Sequence, residues 1–296
     1  MLMPMLVAMA VVAGDANSGT TADDKSKEST CAESKCAATT CDTVVALPAS
    51  GGLVRLAGGD AAVNKRGEGE STTFSADGVL TIDTPLPVGY PDPTPPGAID
   101  LKLYPSVRRA EVSGEVKSLS SGGNDGFWPL FRHIQRRDIA MTSPVEMEYR
   151  TVGANGTAVT EQNQGAEPQN APKQDAIKKS DKETWTMAFL YRRAEQGDAG
   201  KDAADKRVTV TDTPEMLVIS IGMKGDYSRS LIEEGKKQLD AWLATQTRFE
   251  KTGEARALYY HGPSMRPWRK WAEVQYPVRE VVQPVAVGTD QPAAAR

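Results

Sequence analysis

Between Ile99 and Val278 one pattern of apolar runs occurs twice, and a repeat of that length admits few folds. The first copy opens with Ile99–Tyr104, breaks at Pro105 and resumes as Val107–Val112 before Gly114. The second opens with Val208–Thr211, breaks at Pro214 and resumes as Met216–Ile221 before Gly225. Proline cannot donate to a ladder, so each copy begins with a bent or broken strand. A helix follows in both. Phe127, Leu130, Phe131 and Ile134 stand at i, i+3, i+4 and i+7, with Asp125 placed to cap and Pro129 near the first turn. In the second copy Leu231, Ile232, Leu239, Trp242 and Leu243 share a helical face, and Ser230 and Glu233 have capping-box spacing. Gly235 weakens that helix interior by about 1 kcal/mol. Two strands close each copy: Ser143–Arg150 with Trp185–Arg192, then Arg256–Tyr260 with Ala272–Val278. Strand, helix, strand, strand, taken twice, predicts a pseudo-symmetric α+β domain whose two helices pack on a curved antiparallel sheet.

The rest of the chain reads differently. Sixteen of the eighteen aromatic residues lie between Ala98 and Val278, so one core is expected there. Residues 1–16 resemble a signal peptide: thirteen residues without charge, then candidate cleavage sites at Val11–Ala13 or Gly14–Ala16, although the basic n-region is missing. Export, to the periplasm or the medium, is the expected localisation. Residues 17–94 read as a low-complexity linker with short strands at Thr43–Leu47, Leu53–Leu56 and Val79–Ile82, either an edge hairpin or loose. Six prolines from Pro85 to Pro96 mark a domain boundary. The domain then spans 95–278, interrupted by polar loops at 151–183 and Glu195–Lys206, with 279–296 as a disordered tail. No apolar run in the mature chain is long enough for a membrane-spanning helix.

Conventional catalytic signatures are missing. The chain has two histidines, His133 and His261, and its three cysteines, Cys31, Cys36 and Cys41, all precede the domain at C-x4-C-x4-C spacing, unlike a zinc ribbon or a c-type haem attachment. No G-x-S-x-G elbow, phosphate loop or H-E-x-x-H occurs. A net charge of −4 argues against nucleic acid as the main partner. Two basic surfaces remain. The first helix ends R-H-I-Q-R-R, placing Arg132, His133, Arg136 and Arg137 beside its apolar stripe, with His133 on the flank where it can face a cleft. The segment Tyr259–Trp271 mixes His261, Met265, Arg266, Trp268, Arg269 and Lys270 among Gly262, Pro263 and Pro267. That composition suits a carboxylated aromatic ligand, RNA or an anionic membrane, or a hairpin loop whose tryptophans cover the core.

Several of these motifs coincide with one family. Pro95–Gly114 (P-P-G-A-I-D-L-K-L-Y-P-S-V-R-R-A-E-V-S-G), Phe127–Ile134 (F-W-P-L-F-R-H-I) and Ile139–Val145 (I-A-M-T-S-P-V) resemble the SOUL haem-binding family. Tyr259–Ser264 (Y-Y-H-G-P-S) and Trp271–Val274 (W-A-E-V) follow in that family's order. The resemblance implies a duplicated β-α-β-β unit forming a distorted antiparallel β-barrel or curved sheet with two main helices, related to GyrI-like effector-binding domains. It also implies non-covalent binding of haem or another tetrapyrrole beside the first helix, placing Phe131, His133, Ile134, Arg136, Arg137, Ile139 and Met141 at the ligand. His133 stands where the family usually has tyrosine, which makes it either an axial iron ligand or a polar substitution; His261-Gly262 and Ala272-Glu273 are further departures.

The expected function is a tetrapyrrole carrier, buffer or scavenger without turnover. An alternative is a module binding another hydrophobic or cationic small molecule, in which Glu273 or Glu146 would matter most. A small-ligand hydrolase would need Glu273 as a base, with its pKa raised by burial.

Overall fold

The structure, a computed structural model, describes residues 46–117, 123–152 and 182–281. The cysteines, the apolar N-terminus and most of the 151–183 segment lie outside the described residues.

The strands in chain order are β1 (Leu53–Ala57), β2 (Asn64–Arg66), β3 (Thr73–Ala76), β4 (Leu80–Ile82), β5 (Ile99–Tyr104), β6 (Val107–Glu115), β7 (Val145–Val152) and β8 (Lys182–Leu190). They continue with β9 (Gly200–Lys201), β10 (Thr209–Thr213), β11 (Met216–Lys224), β12 (Phe249–Lys251), β13 (Arg256–Tyr259) and β14 (Trp271–Glu280). Helix α1 (Gly123–Arg136) precedes β7, and α2 (Arg229–Leu243) follows β11.

The main sheet runs β1-β5-β11-β14-β13-β7-β8-β6-β10-β9, with β12 on the far end of β14. Its order is a palindrome about the β13/β7 pair: β14 answers β8, β11 answers β6, and β5 answers β10. The duplication read from the sequence is therefore real, and the halves exchange their opening strands, since β5 pairs with β11 and β10 with β6. The sheet is curved but open, ending at β1 and β9, so of the barrel and the curved sheet the second is observed.

Side chains alternate across the strands with the period of two that a pleated ladder imposes. On one face Ala110, Val112, Met147, Met187 and Phe189 lie under Leu130 and Ile134 of α1, and Ile99, Leu101, Ile219, Ile221 and Val274 lie under Leu231, Ile232 and Leu239 of α2. Burying each such aliphatic side chain contributes about 1.5–3 kcal/mol. The opposite face is polar and yet buried: Asp100, Lys102, Ser220, Glu273 and Gln275 are almost without exposure.

Several local expectations are corrected. Helix α1 begins by Gly123, so Asp125 sits in its first turn and Pro129 lies inside the helix. Helix α2 is capped by Ser228, whose hydroxyl accepts from the Leu231 N–H, two residues before the Ser230 expected. Gly235 is there because α2 approaches the sheet closely: a Cβ on it would meet Val274 Cγ2 at 2.6 Å. The Glu195–Lys206 segment is structured, since β9 pairs with β10 and Asp202 is buried.

The proline-rich stretch before β5 is a buried strap. Tyr90, Pro91, Pro93, Thr94 and Pro95 are all buried. With β2, β3 and β4, which form a separate small sheet, the strap brings Phe74, Leu80, Ile82 and Tyr90 onto Tyr104, Val218, Leu258 and Trp271. β1 supplies an edge strand to β5.

Candidate functional site

The outer flank of α1 carries an aromatic ledge. Phe127 and Phe131, one turn apart, stack with centroids 5.6 Å apart at 13°. Trp128 meets them edge-on at 5.4 and 6.0 Å, and is 49% exposed. Phe127 is backed by Phe189 of β8 at 5.4 Å. The ledge exists because Leu130 and Ile134 take the core positions, and the residues beside them on the helix must then stand at the edge of the core. Gly126 lets the helix lie close: a Cβ there would come within 3.0 Å of both Met187 and Trp185.

Of the sequence-predicted site residues, Phe131 and Met141 are partly buried against this core, while Ile134 and Ile139 are inside it and form the floor. Arg136 and Arg137 are exposed on the helix end, as is Arg132. Arg136 donates to Asp202 at 2.8 Å.

His133 is placed differently from the sequence reading. Its side chain is fully buried, not on an open flank, and both ring nitrogens are engaged. Nδ1 bonds the Asp202 carboxylate, and Nε2 shares a 2.7 Å hydrogen bond with the Tyr191 hydroxyl. Burial alone would raise the Asp202 pKa, but hydrogen bonds from His133, the Ala204 N–H and Arg136 outweigh it and hold the carboxyl well below its usual range. Burial pushes the Tyr191 phenol up to about 12. His261 is equally committed: Nε2–H donates to the Thr81 carbonyl at 2.8 Å, and Nδ1 accepts from the Trp271 N–H at 3.1 Å. Neither histidine of the chain thus has a nitrogen free for an iron. Among the described residues no group of His, Cys, Asp and Glu side chains could hold a metal ion.

Sequence reasoning missed the polar network on the other face. Lys102 Nζ lies 2.9 Å from both carboxylate oxygens of Glu273. Tyr260 donates to the same carboxylate at 2.6 Å and the Thr94 N–H at 2.8 Å, joined by Ser220 and Gln275. Arg109 and Arg256 grip Glu146 at 2.7 and 3.1 Å, and the Tyr90 hydroxyl adds a third donor at 3.1 Å. Burial would raise both carboxyl pKa values; Lys102 at Glu273, and Arg256 and Arg109 at Glu146, outweigh it and lower them. A general base at Glu273 required the opposite shift. Beside this network opens a cleft of about 640 Å³, lined by Arg109, Glu111, Glu148, Arg150, Thr211 and Glu215 among others.

These features define a class: an α+β domain of two strand–helix–strand–strand halves, with both helices on one face of an open sheet and an aromatic ledge on the first. The family model described as SOUL heme-binding protein matches residues 94–277, and the chain belongs to that family. No curated protein matches the chain by sequence. Among solved structures it is similar to the EcmrR C-terminal domain, with 15% identity, 62% of this chain and 98% of that one covered, and a TM-score of 0.42. A hydrolase from Listeria innocua matches at 11% identity over 64% of this chain and 94% of that one, with a TM-score of 0.41. An integron cassette protein from the mobile metagenome of Vibrio cholerae matches at 7% identity over 61% and 95%, with a TM-score of 0.31.

Proposed function

We propose that this protein binds haem or another tetrapyrrole non-covalently on the outer flank of α1, as a carrier, buffer or scavenger without turnover. The observation that carries the reading is the Phe127–Trp128–Phe131 ledge, a half-exposed aromatic surface bordered by arginines. The three rings present faces and edges to a flat macrocycle. Arg132 and Arg137 are positioned to meet propionates, while Arg136 is shared with Asp202. Met141 borders the ligand, and Ile134 and Ile139 support it from below. Haem would bring a redox-active iron, which a carrier only sequesters. His133 serves as a buried pin rather than an iron ligand, so binding rests on the macrocycle and its carboxylates.

The test is a spectrophotometric titration of the full chain with haemin and with metal-free protoporphyrin. Saturable one-to-one binding of both, with affinities within a few-fold of each other, is the expected result. Binding of haemin alone would restore iron ligation, and binding of neither would remove the reading.

A second reading, a site for a small organic cation, draws on the cleft, where Glu215 and Glu254 stand beside the ion pairs Arg109–Glu111, Arg150–Glu148 and Arg108–Asp212. Glu146 and Glu273 do not serve it, being neutralised already. We infer export from the uncharged N-terminal run; cell fractionation with N-terminal sequencing of the secreted or periplasmic chain tests it.

A further inference from the structure

We propose that the loop His261–Lys270 docks the protein on an anionic lipid surface, with the Trp268 indole entering the headgroup layer. Trp268 is 56% exposed, the most exposed large hydrophobic side chain among the described residues. It stands between Arg266 and Arg269, both exposed, and the Arg266 guanidinium lies 5.4 Å from the indole centroid. The loop contains no acidic residue. Two acids at its base are taken: Asp226 pairs with Lys270, and Asp77 with Lys224, the residue opposite Trp271 in the sheet. Two guanidinium groups without carboxylate partners among the described residues therefore flank one outward indole.

The loop is held in shape from below, so presenting the indole does not require ordering a flexible segment. Its base is tied by the His261 bonds to Thr81 and Trp271, and by the His261 N–H donating to the Tyr227 hydroxyl at 2.8 Å. Its tip is a tight turn, with the Arg269 N–H on the Arg266 carbonyl at 2.9 Å and the Lys270 N–H on the Pro267 carbonyl at 3.1 Å. Val79, 44% exposed, belongs to the turn just before Thr81, adding an apolar side chain to the loop the His261 ring ties in.

An indole prefers the bilayer interface, and arginine beside it can meet lipid phosphates while its stem stays in the apolar zone. Each basic residue near an anionic membrane surface contributes about fivefold in binding. A polyanion such as RNA would use the same charges, but the tip offers it a single indole framed by Pro263, Met265 and Pro267 rather than a row of stacking rings, and the chain carries a net −4. The lipid surface is therefore the better occupant.

The experiment is co-sedimentation of the full chain with phosphatidylcholine vesicles, with and without phosphatidylglycerol. Partitioning onto the anionic vesicles alone is expected, weakening with salt. Arg266→Glu with Arg269→Glu should reduce it by at least about fivefold per arginine, Trp268→Ala should reduce it as well, and the charge-matched pair Lys236→Glu with Lys237→Glu on α2 should leave it unchanged. No partitioning, equal partitioning onto both vesicles, or loss in the α2 pair as large as in the loop pair would overturn the proposal. Tighter binding to a single-stranded oligonucleotide than to the vesicles, lost in the same loop variants, would reassign the loop to a polyanion and overturn it too.

Discussion

The ammonium of Lys102 sits 2.9 Å from both carboxylate oxygens of Glu273, and neither side chain is exposed. The two residues come from β5 and β14, neither adjacent in the sheet, with β11 between them. Such a pair is a poor source of net stability, because desolvating both charges costs about what their attraction returns. It does make each partner indispensable to the other.

Lys102→Met should therefore destabilise the protein by about 3–5 kcal/mol by leaving a buried carboxylate uncompensated. Adding Glu273→Gln should recover much of that loss. Urea denaturation of both variants and the parent checks the pattern; a single variant as unstable as the double would refute the coupling.

The pH dependence follows from the same carboxylates. Glu146, Asp202 and Glu273 all have folded pKa values below their ordinary ones. A lowered carboxyl pKa adds stability above the unfolded value, which is lost as pH falls through the folded one. Stability should thus be flat in this respect from neutrality down to the ordinary carboxylate range and decline steeply below it. Melting temperature measured against pH shows whether the decline begins there.

Gly235→Ala sets helix propensity against packing. Alanine improves an exposed helix interior by about 1 kcal/mol, but here the new methyl would meet Val274 Cγ2 at 2.6 Å. The variant should lose about 1–3 kcal/mol, and Val274→Ala in the same chain should recover only part of it, because the Cβ at position 274, 2.7 Å from the new methyl, remains. A thermal melt of the single and double variants decides the sign.

On the ledge, Phe131→Ala and Trp128→Ala should each weaken haemin and metal-free protoporphyrin alike, by about two- to tenfold, the worth of one aromatic contact. Titration with both ligands provides the check. A loss confined to haemin would place the iron, not the ring, at this surface.

A chain beginning at Pro95, one residue after the family match starts, should fail to fold cooperatively. It would lack Phe74, Leu80, Ile82 and Tyr90, each worth about 1.5–3 kcal/mol when buried, against a total stability of about 5–15 kcal/mol. It would also lose the Tyr90 and Thr94 donors of Glu146 and Glu273. Circular dichroism in urea, compared with a chain beginning at Ala46, tests this.

The sequence by itself determined the duplicated order of elements and the two amphipathic helices, because spacing of apolar residues and turn residues is a local property, and its motifs carried the family resemblance. Periodicity placed Phe131 and Ile134 on α1, while Ile139 and Met141 came only with the family resemblance; all four pack in one core. Tertiary structure decided everything that depends on pairing distant residues. His133 is buried because Asp202, 69 positions away, and Tyr191 meet both its nitrogens. Lys102 and Glu273 are separated by 171 positions and by nothing in space. The proline strap reads as a boundary from its composition, yet it is core: it covers the polar sheet face, and its Tyr90 hydroxyl and Thr94 N–H supply donors to Glu146 and Glu273. Periodicity records which side of an element faces inward; which partner waits there is settled only when the halves of the chain fold against each other.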